Sequence, residues 1–156
     1  MRNDVAMTTL TATKLPQLIP AGTSHIQVEL VQMPTRELSQ VSLGRTFAFG
    51  LLEDNSSWCL IRMSSIRSLV FLEKSSGSEP QVRWSRKTAG ELLSNLELPA
   101  SGRLQFRDQP GLTERVVVLG VSIGFIAIDG YRQQHIPLAA ISYLEISGSQ
   151  RHLNCN

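Results

Sequence analysis

The residues able to do chemistry are few and widely spaced. His25, His135 and His152 lack the i, i+4 spacing that sets two imidazoles on one helix face around zinc. Cys59 and Cys155 form no CxxC pair, so neither a zinc nor a dithiol motif is present. Asp54 precedes Asn55 and Asp129 precedes Gly130. Asp in such dipeptides bonds its own backbone in a turn, and Asp-Gly suits a type I′ hairpin. Glu53 adjoins Asp54, but strand neighbours point to opposite faces, so the two make no acid–base pair. No serine sits in a GxSxG elbow, and neither GxxxxGK[ST] nor GxGxxG occurs. No catalytic residue, cofactor, metal or small-molecule substrate is therefore expected, and the chain reads as non-enzymatic.

The basic residues are the remaining chemical signal. There are 12 Arg against 3 Lys, and arginine suits planar phosphate and base contacts. Arg83, Trp84, Arg86 and Lys87 cluster along the chain, while Arg62 and Arg67 flank a turn further upstream. Cations beside an aromatic can hold single-stranded nucleic acid by charge and stacking. The bland alternative is a solvated helix start with Trp84 packed inside.

The elements that position these groups follow from length and pattern. At 156 residues and 42% hydrophobic, the chain has one domain or two very small ones and is not disordered. A net charge of +2 gives no bulk attraction for DNA or membranes. The longest greasy stretch, Val116 to Ile128, reads as buried core, because a membrane span needs about 20 apolar residues. No apolar secretory leader is seen, so a cytoplasmic location is expected.

Residues 1–24 read as a flexible arm, 73–84 as a Ser/Gly/Pro linker, and 148–156 as a flexible tail. Between them lies an internal repeat. A shift of 76 aligns Pro34 with Pro110, Val41 with Val117, Leu43-Gly44 with Leu119-Gly120 and Phe49 with Phe125. A shift of 75 aligns Asp54 with Asp129, Ile61 with Ile136, Ile66 with Ile141 and Leu69 with Leu144. Each copy alternates apolar and polar residues, as in Ile26, Val28 and Leu30. The alternation runs through Gly44 and Gly120, where a bend or bulge is expected. Trp58 falls on the face opposite Ile61, and His25 and His135 fall at strand entrances. One helix precedes the second copy, with Ser85 as N-cap and Leu92, Leu93 and Leu96 on one face before Pro99. The expected fold is all-β: two tandem small β-barrels at 25–72 and 85–147, with a short helix preceding the second.

This arrangement is similar to the Sm-like (LSm, Hfq-like) fold. His135-Ile-Pro-Leu-Ala-Ala-Ile-Ser-Tyr-Leu-Glu-Ile146 resembles the second Sm motif of bacterial Sm-like proteins. Over residues 25–72 and 85–147 the arrangement also looks like a group of tandem Sm-like bacterial proteins with no established function. The resemblance implies a small-barrel module that binds RNA or assembles with other units. It departs where Hfq-type proteins carry a Lys-His pair for uridine-rich RNA. Those positions hold Leu138 and Ala139 in one copy and Met63 and Ser64 in the other. None of the four offers a cation or an imidazole. Two partner classes therefore stand: RNA or single-stranded nucleic acid, through Arg83, Trp84, Arg86, Lys87, Arg62 and Arg67; or protein, including self-association, through exposed strand edges.

Overall fold

The computed structural model describes residues 19–54, 56–73, 82–122 and 124–147. The first copy contributes β1 (His25–Leu30), β2 (Arg36–Leu43), β3 (Phe47–Leu52), β4 (Trp58–Arg62), a 3-10 turn (Met63–Ser65) and β5 (Ile66–Leu72). Short β6 (Val82–Trp84) and α1 (Ala89–Leu93) follow. The second copy contributes β7 (Ala100–Phe106), β8 (Glu114–Ser122), β9 (Phe125–Asp129), β10 (Gln133–Pro137), a 3-10 turn (Leu138–Ala140) and β11 (Ile141–Ile146). The repeat read from sequence is thus a structural repeat. A shift of 75 carries β4 onto β10 and one 3-10 turn onto the other.

The protein is all-β, but the copies are not two closed barrels. All the strands join one open sheet in the order β10-β9-β8-β7-β11-β4-β3-β2-β1-β5, with β6 added parallel to β2. Within each copy the order is the same: fifth, first, second, third, fourth. Neither copy closes, because its fourth strand does not pair with its own fifth. Instead β4 of the first copy pairs antiparallel with β11 of the second.

Two apolar cores fill the curved sheet. One gathers Ile26, Val28, Leu38, Val41, Leu69 and Phe71 from the first copy. The other gathers Leu104, Val118, Ile126, Ile136 and Leu144 with α1 residues Leu92 and Leu93 and nearby Leu96. Each large apolar side chain so buried stabilises the fold by about 1.5–3 kcal/mol.

Several local expectations change in three dimensions. The helix starts three residues later than Ser85 implies: Thr88 caps it in a full capping box with Glu91, with bonds of 3.1 and 2.8 Å. Ser85 instead bonds the Lys87 amide. Gly120 does lie beside a register shift in β8, whereas Gly44 ends β2 in a tight turn, its amide donating to Phe47 O at 2.8 Å. Gly130 is not among the positive-φ glycines, so the β9–β10 turn is not type I′. His25 opens β1 as expected, but His135 lies inside β10. Val116–Ile128 is two alternating strands rather than a wholly buried segment; Val117 and Phe125 are exposed. Of the expected arm and linker, Ile19 packs on the first core, Ser24 bonds Leu72 O, and Val82–Trp84 pairs with β2. The rest of both, and the 148–156 tail, lie outside the described residues. Among the described residues, no helix is long and apolar enough to cross a membrane.

Candidate functional site

The two copies meet at the centre of the sheet, where β4 pairs with β11. Arg62, Ser142 and Glu145 aside, β4 and β11 carry apolar or aromatic side chains on both faces, and every residue of the two strands but half-buried Arg62 is buried. Trp58, Leu60, Leu144 and Ile146 enter the second core. Cys59, Ile61 and Tyr143 enter the first. The register pairs Ile61 with Tyr143, Leu60 with Leu144, Cys59 with Glu145 and Trp58 with Ile146. Trp58 stacks on Phe49 with centroids 5.2 Å apart and planes 10° from parallel.

Polar groups lock this junction. Arg62 donates through Nε to Ile141 O at 2.9 Å and through Nη2 to Leu138 O at 2.8 Å. Its guanidinium lies 4.7 Å from the Phe47 ring centroid. Burial, and then the nearby Arg107 charge, lower the Arg62 pKa, yet a guanidinium stays protonated. In the first core the Tyr143 hydroxyl donates to the buried Glu145 carboxylate at 2.7 Å. Burial pushes the Cys59 thiol and the Tyr143 hydroxyl well above their ordinary pKa values, and the Glu145 charge adds to both shifts.

The sheet ends carry the counterparts of these two strands, each with one open edge among the described residues. Among the described residues β10, the counterpart of β4, pairs only with β9, and β5, the counterpart of β11, only with β1. Where β4 has Trp58, Leu60 and Arg62, β10 has exposed Gln133, His135 and Pro137. Phe125, aligned with Phe49 by the repeat, is 44% exposed whereas Phe49 is 3% exposed. On β5, Ser68, Val70 and Leu72 are half-buried, whereas all of β11 is buried. An unpaired strand edge offers a row of backbone donors and acceptors to another strand.

The basic residues singled out from sequence do not form one site. Arg62 is spent on the junction. Arg67, on terminal strand β5, faces Glu29 at 3.5 Å. Trp84 packs against the first core, so its ring is no free stacking platform. Arg83 on β6, and Arg86 and Lys87 before α1, are exposed. Sequence reasoning missed Tyr143 and Glu145; the signal was there, since β11 lacks the alternation of a strand with one wet face.

A divalent-type donor set is also present. His25, Glu37 and Glu53 bring their ligand atoms within 4.8 Å of one another. Ser24 Oγ lies 2.7 Å from His25 Nδ1 and turns Nε2 toward Glu53 at 3.5 Å. The His25–Glu53 pair explains this contact without an ion.

No family model, curated protein or solved structure matches the chain.

Proposed function

We propose that the chain is a tandem Sm-like, non-enzymatic assembly module, and that its two open strand edges join one copy to the next. The observation that supports this is the internal junction. The strands left open at the ends are the repeat counterparts of the strands that pair at the centre. The common strand order of the two copies supports the Sm-like reading. Repeating the β4–β11 register at the ends sets Ser68 opposite Ile136, Leu69 opposite His135, Val70 opposite Gln134 and Phe71 opposite Gln133 of a second chain. A head-to-tail contact of this kind is heterologous, and it closes into a ring or runs on as a filament. Pro137 stands where Arg62 clamps the internal junction, so the contact between chains is the weaker and more reversible one.

Sedimentation velocity tests this reading. Wild type runs as a multimer. Val70→Lys with Gln134→Lys places like charges across the register and yields monomers, and Val70→Lys with Gln134→Glu restores the multimer. A wild-type monomer at high micromolar concentration, or multimers from all three proteins, would sink the proposal.

Nucleic-acid binding is the second reading, favoured by one observation. Arg83, Arg86 and Lys87 are exposed, and none of their side chains has a bond or ion pair among the described residues. Reversal of all three charges abolishes binding to a uridine-rich RNA if that reading holds, and leaves sedimentation unchanged.

A further inference from the structure

We propose that a concavity on the outer face of the second copy binds a phosphomonoester between Arg103 and Arg115. The two arginines are direct cross-strand partners on β7 and β8. Like charges placed so destabilise a sheet. Both are exposed, and neither forms a hydrogen bond or ion pair among the described residues. The fold does not require them: in the first copy Gln27, aligned with Arg103 by the repeat, has Glu37 as its cross-strand partner. They line a cavity of about 390 Å³, with the serines Ser57 and Ser101 in its wall. That volume falls within the range of small-molecule sites, about 300–1,000 Å³.

The lining selects among anions. Two guanidinium forks side by side match the oxygens of one phosphate group. Carboxylates stand at both sides: Glu145 on β11 lies opposite Arg103 in the strand register, and Asp129 lines the cavity from β9. Glu145 already accepts the Tyr143 hydroxyl and is buried, so it is not a counter-ion that has swung away. A nucleic-acid backbone crossing the arginine pair would run over a carboxylate, which repels it. A single phosphate carried on a polyol meets the arginines with its charge and the carboxylates with its hydroxyl groups. A sugar phosphate has that chemistry.

Titration calorimetry with ribose 5-phosphate, at about 0.15 M salt to screen loose surface binding, tests the site. Wild type and Arg45→Gln, which removes an exposed arginine elsewhere, bind saturably with equal affinity. Arg103→Gln with Arg115→Gln binds at least about tenfold more weakly. With no ligand, that double variant melts at or above the wild-type temperature, because the facing charges are gone. Should the double variant melt lower, the single variants Arg103→Gln and Arg115→Gln carry the test. Three results overturn the proposal: no saturable binding to wild type up to about 10 mM, weaker than any useful site; unchanged affinity in the double variant; or tighter binding of a uridine oligonucleotide than of the monoester. Inorganic phosphate as a second probe shows whether the polyol contributes, and equal affinity for both probes overturns the role given to the carboxylates.

Discussion

Replacing Arg62 by Met removes the clamp while keeping most of the side-chain stem over Phe47. Two charge-assisted bonds, at 2.9 and 2.8 Å, vanish from the Ile141 and Leu138 carbonyls. Each such bond contributes about 1.5–3 kcal/mol when shielded. Arg62 is half-buried, so water replaces part of each bond at the freed carbonyls. The expected loss is about 2–3 kcal/mol, which is roughly a 30- to 150-fold drop in the folding constant. In a urea titration with a slope of about 2 kcal/mol per molar, the midpoint falls by about 1–1.5 M. Arg62→Lys, which keeps the charge but not the fork, falls about halfway. A shift below about 0.3 M at unchanged slope would falsify the clamp, since that is within ordinary surface effects. The same variants also test the placement of Arg62 outside any ligand site: stability changes, and RNA or phosphate affinity of the folded protein does not.

Other consequences follow from the same junction. Trp58→Ala leaves a cavity in the second core beside Phe49 and costs about 3–5 kcal/mol, read by thermal or urea unfolding. Thr88→Ala removes the capping box and costs about 1 kcal/mol in the same assay. Stability also falls in alkali. The folded chain holds protons on Cys59 and Tyr143 that the unfolded chain gives up, so this contribution is whole at neutral pH. It is lost from about pH 8.5 upward through Cys59 and from about pH 10 through Tyr143, at up to about 1.4 kcal/mol per pH unit for each group. Cys59→Ser removes the loss between those two values, and a flat profile from pH 8 to 10.5 in wild type would show that the groups are not held in their neutral forms.

Periodicity and repetition alone revealed the strands, because a period of two and a matched series of turn residues are local properties. In the structure a shift of 75 sets β4 on β10 and one 3-10 turn on the other, so the repeat carries over from sequence to fold. Leu92, Leu93 and Leu96 declared a buried helix face in the same way. The cap was misread because Ser85 and Thr88 are both good N-caps, and only the backbone decides which one meets a free amide. What no local pattern decided is which strand pairs with which. Closing each copy on itself and joining β4 to β11 use the same residues with the same alternation. The choice rests on contacts between strands about eighty residues apart, and it turned Trp58 and Arg62 from surface candidates into parts of a joint. It also set Arg103 against Arg115 across two strands. Neither arginine is unusual in the sequence, and their facing charges exist only once β7 lies beside β8.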